Sequence, residues 1–264
     1  MAATSRILSL EERKALLNKE IKKHDVANIL VHWFNVAAWI FLLGTGLGIL
    51  YGAFYRIIPP NWNIFIRDAF GGLANLRAFH KAVGLMWVLV LTFNVVLGFK
   101  KYFGPFGQES LWLTRNDIEW LKMMPLRIVG KKVWMPPQDA YNAGQKAYAI
   151  AISAGTLGLM LTGLSMTFPA YMPARWIVQW ANVLHFISWG SVVAALIVHL
   201  YMGAVMPEER PAFFSMFTGK VNALYAYLHH YNWFQRYQDH EREWEERMQK
   251  HIEEEKRLMQ GGEK

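Results

Sequence analysis

The sequence predicts an all-α protein, a bundle of four helices built to sit in a membrane. Three observations carry that reading. The chain is apolar and aromatic, with 53% hydrophobic, 15% aromatic and only 18% charged residues among its 264, where a soluble domain carries roughly 25% charged. Its charges are segregated: the longest runs without Asp, Glu, Lys or Arg are Val26–Tyr55, Ala82–Phe99, Ala147–Ala174 and Trp176–Pro207. The formal net charge of +8 sits mostly beside those runs, as in membrane proteins, which argues against a nucleic-acid-binding surface.

Spanning the hydrocarbon takes ~20 residues at ~1.5 Å each. The runs place helices near 28–52, 80–99, 145–168 and 179–205 within one membrane domain, 28–205. The second is just long enough, with His80 and Lys81 at its mouth. Ahead of it, residues 1–27 are polar and charged through Lys23, which does not describe a cleavable signal peptide.

Orientation follows from Lys and Arg on the flanks. Residues 1–25 carry six, 100–146 eight, 53–81 four and 169–178 one. Both termini and the loop 100–143 are therefore expected on the cytoplasmic side. In that loop Thr114 precedes Asp117 by three residues, a capping-box-like start, and Pro125 is expected to end the turn. Trp112, Trp120 and Trp134 suit an interfacial position. The cytoplasmic tail, 206–264, is densely charged and helix-forming from Asp239 onwards.

The absence of cysteine excludes disulfides, thiolate-held iron–sulfur clusters, thiol nucleophiles and covalent C-x-x-C-H haem attachment. Any redox centre held by this chain must use other ligands, and nine histidines are available for that. A histidine inside a span is costly and points to function, and four of the nine fall in or at the ends of spans: His32, His80, His185 and His199. His185 and His199 are fourteen residues apart, close to four turns, so they share a helix face ~21 Å apart. Depth then pairs His80 with His185 at the outer level and His32 with His199 at the inner level. Two stacked imidazole pairs in a bundle are what two bis-histidine b haems require. Zinc or a proton path would more naturally add intramembrane carboxylates, and the four runs hold none.

With these residues in hand, the sequence resembles the membrane cytochrome b (gamma) subunit of respiratory formate dehydrogenases. The matching pieces are His32-Trp33, His80 with Gly84, Tyr141-Asn142-Ala143-Gly144-Gln145-Lys146, His185, His199-Leu200-Tyr201-Met202, Gly219-Lys220-Val221 and His229-His230 with Trp233. They occur in family order over roughly residues 20–235. The histidine set alone is shared with hydrogenase and thiosulfate-reductase cytochromes b. The departures are a longer amino terminus, Lys81 directly after a predicted ligand, and the tail beyond Tyr237.

The resemblance implies a subunit of the bacterial inner membrane that is not catalytic alone. It would take electrons from a periplasmic-side iron–sulfur subunit attached to a molybdenum or tungsten catalytic subunit. It would pass them through two b haems to menaquinone or ubiquinone near the cytoplasmic face. By motif, Asn142, Gly144 and Gln145 would line the quinone pocket, close to His199: Gly144 permits close backbone approach, and the two amides can donate to a quinone carbonyl. Read from the residues alone, the same three are a capped helix start. The alternatives are the equivalent cytochrome of another oxidoreductase, and a haem-free membrane anchor or transporter.

Overall fold

A computed structural model describes residues 8–50 and 60–261. In chain order these form α1 (Leu10–Asn18), β1 (Glu20–Lys22), α2 (Val26–Ile49), α3 (Pro60–Ala69), α4 (Leu73–Gly98), α5 (Gly104–Ser110), α6 (Arg115–Ile128), α7 (Ala143–Thr167), α8 (Arg175–Leu200), α9 (Arg210–Thr218), β2 (Lys220–Asn222), α10 (Ala223–His229) and α11 (Tyr231–Gly261). A π-helical turn, Phe99–Phe103, joins α4 to α5, and another, Tyr201–Val205, extends α8. Among the described residues, four stretches are long and apolar enough to cross a membrane: Val26–Ile49, Leu73–Ser110, Ala143–Thr167 and Arg175–Val205.

Three expectations need correction. Helix two begins at Leu73 rather than near 80, so His80 lies about two turns inside it instead of opening it. Gly71 (φ +69°) and Gly72 (φ +117°) set the break, conformations that favour glycine, and Lys81 and Arg77 interrupt the charge-free pattern inside the helix. The segment 100–143 is not a plain loop, since α5 and α6 occupy much of it. Pro125 does not end α6, which continues to Ile128; one lost N–H costs a single bond, and Val129 N still donates to Pro125 O at 3.2 Å. Residues 51–52, the expected end of the first helix, lie outside the described residues.

The contacts divide the chain into two compact units. The first comprises residues 1–21, 112–146 and 221–264. Its core gathers Ile21, Val221, Met135, Tyr225, Tyr227 and Phe234. Here His230, fully buried, docks the tail: its Nδ1–H donates to the Asp139 carbonyl at 2.6 Å. Asn232 N donates to Gln138 O at 3.0 Å, and Arg236 grips Asp139 with both terminal nitrogens. Lys146 Nζ meets Asp117 Oδ2 at 2.7 Å, with side-chain exposures of 5% and 3%. The same Asp117 completes the expected capping box with Thr114.

The second unit, residues 22–111 and 147–220, holds the apolar helices. Gly48 lets α3 approach α2, because a Cβ there would stand 2.6 Å from Ile66 Cγ2. Gly155 faces Val192 and Gly158 faces Ser188, the small-residue contacts that pack membrane helices closely. Trp87 Nε1 donates to Asn35 Oδ1 at 2.8 Å. Phe41, Leu89, Phe93, Leu97, Leu161 and Ile187 point outward and are exposed, an arrangement costly in water and favourable in lipid.

Candidate functional site

The four intramembrane histidines all lie in the second unit, on three helices: His32 on α2, His80 on α4, and His185 and His199 on α8. The fold brings them together in twos. His80 and His185 lie within electrostatic reach of each other, and so do His32 and His199. Among the described residues no group of three or more His, Cys, Asp or Glu side chains gathers as a metal cage would need.

The outer histidines are held identically. Thr45 Oγ1 lies 2.8 Å from His80 Nδ1, and Thr162 Oγ1 lies 2.8 Å from His185 Nδ1. Beside each threonine is a glycine, Gly46 and Gly163, at which an added Cβ would stand 3.5 Å from His80 Cε1 and 3.6 Å from His185 Cε1. The missing side chain leaves room for each ring.

The inner histidines are held by aromatic contacts. Tyr148 stacks on His199, with centroids 4.5 Å apart and planes 10° off parallel. Trp33 meets His32 edge-on at 5.3 Å and is itself fixed by donating Nε1–H to Met216 O at 2.7 Å. His32 Nδ1 is buried without a hydrogen-bond partner among the described residues. A buried imidazole nitrogen left without a partner is costly.

Just ahead of the inner pair in sequence, His24 and Lys23 precede α2. Burial, with Lys23 and His32 adding to it, lowers the His24 pKa to about 4, and burial lowers that of Lys23 to about 8 against the pull of Glu209 and Glu109. His24 is thus a partly buried imidazole, neutral at pH 7.

Asn142, Gly144 and Gln145 lie in the first unit, at the start of α7. Gln145 N donates to Asn142 Oδ1 at 2.9 Å and Asn142 N donates to Gln145 Oε1 at 3.0 Å. This reciprocal cap is the helix-start reading in full. It also fixes both amide flips, because a backbone N–H must meet oxygen. Both amide nitrogens therefore face away from the cap and keep their protons for another acceptor. Trp120 lies over Gly144, 3.5 Å from where a Cβ would be.

Thr45, Thr162 and Tyr148 are the site residues that sequence reasoning missed. Their signal was present: Thr-Gly occurs at 45–46 and 162–163, and Tyr148 and Thr162 are fourteen residues apart, the same interval that separates His185 from His199.

Four apolar helices that bring half-buried histidines together in twos define an integral membrane cytochrome b, an electron carrier. The chain belongs to the prokaryotic cytochrome b561 family, which it matches over residues 23–219, and that family implies haem b. Among curated proteins it is similar to the nitrate-inducible formate dehydrogenase cytochrome b556(Fdn) subunits of Escherichia coli (strain K12) and Shigella flexneri. Each is 26% identical over 123 residues, covering 46% of this chain and 55% of the relative. The match thus spans about half the length of these relatives.

The residues fit a haem iron. Nδ1 of both His80 and His185 is engaged by threonine, which leaves Nε2 on each ring for another partner, and a glycine lies beside each ring.

Proposed function

We propose that the chain is the membrane anchor and electron-transfer subunit of a respiratory formate dehydrogenase, carrying two haems b. His80 and His185 would hold the outer haem, and His32 and His199 the inner one. When bound, each haem supplies an iron that cycles between ferric and ferrous and so carries one electron at a time.

What supports this reading is that four half-buried histidines of the apolar helices come together in twos, two of them with Nδ1 already engaged by threonine. The protein's part is to orient imidazoles and exclude water. Threonine fixes the outer rings, and the Tyr148 stack and the Trp33 edge contact fix the inner ones. Asn142, Gly144 and Gln145 would form the quinone pocket: the two free amide NH2 groups donate to a quinone carbonyl, and Gly144 keeps the approach open.

Electrons would enter from an iron–sulfur subunit on the periplasmic side, itself attached to a molybdenum or tungsten catalytic subunit. They would leave on quinone at the cytoplasmic face. Lysine and arginine concentrated beside both termini support a cytoplasmic placement of both ends in a bacterial inner membrane. Quinone reduction consumes two electrons and two protons, and protons taken from the cytoplasm would separate charge without a pump.

The test is a reduced-minus-oxidised optical spectrum of the purified complex, with haem counted per chain and co-purifying subunits identified. Two b haems, reduced by formate, support the reading. Reduction by hydrogen alone, with hydrogenase subunits attached, would assign the cytochrome to another complex. A folded chain without haem would overturn the cytochrome.

A further inference from the structure

Thr45 and Thr162 do more than fill space beside the outer histidines. Thr45 Oγ1 lies 2.6 Å from Phe41 O, and Thr162 Oγ1 lies 2.6 Å from Gly158 O. Two oxygens that close repel unless the hydroxyl hydrogen lies between them. Each threonine therefore spends its one proton on its own helix and can only accept at its remaining lone pairs. The hydrogen in the 2.8 Å contact with the ring must then come from histidine Nδ1. Both outer histidines are locked as the Nδ1–H tautomer, with the Nε2 lone pair bare.

An acceptor on Nδ1–H also raises the basicity of the ligating nitrogen and so stabilises the more positive state of a bound metal. The inner pair lacks this device on at least one side: His32 Nδ1 has no partner among the described residues, and His199 is held by a stacked tyrosine.

We propose that Thr45 and Thr162 are positioning residues that fix the tautomer of the outer histidines and lower the midpoint potential of the outer centre relative to the inner one. This rests on the haem assignment above and gives it a direction. A haem held by His80 and His185 would then be the stronger reductant of the two, and one electron would pass from it to a haem held by His32 and His199. That transfer is downhill when the outer potential is the lower.

The experiment uses the purified complex carrying T45V, T162V, both together, T45S or T162S. Haem per chain, potentiometric titration followed in the α-band, and the ferric low-spin EPR signals are read on each. The two midpoints are assigned with H199A, which is expected to retain the outer haem alone. In the valine variants the outer midpoint shifts upward with a changed EPR signal, the inner midpoint stays, and the double variant moves further. Serine, which keeps the hydroxyl, restores wild-type values.

Loss of the outer haem in the valine variants, restored by serine, supports the same role. The proposal is overturned if the outer midpoint is unmoved with both haems retained, if both midpoints shift alike, or if serine fails to restore what valine removes. Absence of haem from the wild-type chain would instead defeat the haem assignment itself, a different result from any of these.

Discussion

Replacing Lys146 by methionine should cost far more than the loss of an ordinary lysine. Lys146 Nζ sits 2.7 Å from Asp117 Oδ2 with both side chains almost wholly buried, whereas an exposed pair is worth ~0–1 kcal/mol. Removing one partner of a buried pair strands the other charge, at ~3–5 kcal/mol. Here the stranded carboxylate keeps the Thr114 N–H and hydroxyl, each at 2.7 Å. The low end of the range applies, about 3 kcal/mol, which is ~100-fold in an opening equilibrium at ~1.4 kcal/mol per tenfold. The assay is amide hydrogen exchange across α6 and residues 112–146 in lipid nanodiscs, read as the K146M and D117N/K146M chains against wild type. Protection in α6 should fall about 100-fold in K146M. The double variant should recover most of it, because asparagine is neutral yet still caps the helix. A loss below tenfold, or a double variant no better than the single, would show that the pair behaves as a surface contact.

Three further outcomes follow from the same contacts. H199A should lose the inner haem and quinone reduction while one b haem per chain remains, measured by pyridine haemochrome and formate-driven absorbance; loss of both haems from a folded bundle would count against pairing by depth. In the tail, burial alone would raise the Asp139 pKa, but the Arg236 fork and the Ala140 N–H outweigh it and hold it below 3.8. The folded value being the lower, this contact contributes stability above about pH 3.8 and loses it as pH falls through the folded pKa; proteolysis of the tail should rise over that window in wild type and be flat in R236M. N142D and Q145E keep an oxygen for the α7 cap but remove the free NH2 donor, so helix content should hold while quinone KM rises about fivefold in each, one hydrogen bond being worth ~1 kcal/mol. An unchanged KM would leave these residues as a cap alone.

Much of the fold was legible because membrane helices announce themselves by composition. A span must be apolar over a fixed length, so four charge-free runs located four helices, and the observed spans overlap every expected one. Helix starts were less legible. Arg77 lies within α4, and a rule based on charge-free length stops short of it, although Gly71-Gly72 marks the break. After α4 the end of the charge-free run predicts a loop, yet the chain continues as a π-turn and α5. Lys146 was counted as a cytoplasmic charge by its position in the chain; its burial against Asp117, twenty-nine residues away, depends on tertiary contact that no local pattern encodes.

The site was legible for a different reason. Histidine inside a span is expensive, so four of them at matched depths already specify a pairing, and helical rise converts spacing into level. What the histidines do not reveal is how their rings are held. That information sits in residues with no cost of their own: a threonine is welcome in a span because its hydroxyl can bond back to the preceding turn. The back-bond is also what gives Thr45 and Thr162 their chemistry, since a hydroxyl whose proton is spent can only accept. The same Thr-Gly unit serves α4 from α2 and α8 from α7, so each outer histidine is positioned by the helix that precedes it among the spans. The inner histidines are held by aromatic contacts on Trp33 and Tyr148, which orient a ring without drawing on its Nδ1–H. On the proposed haem assignment one bundle would thus offer two differently tuned ligand pairs, and a difference in tuning, more than the presence of two centres, would give an electron a preferred direction across the membrane.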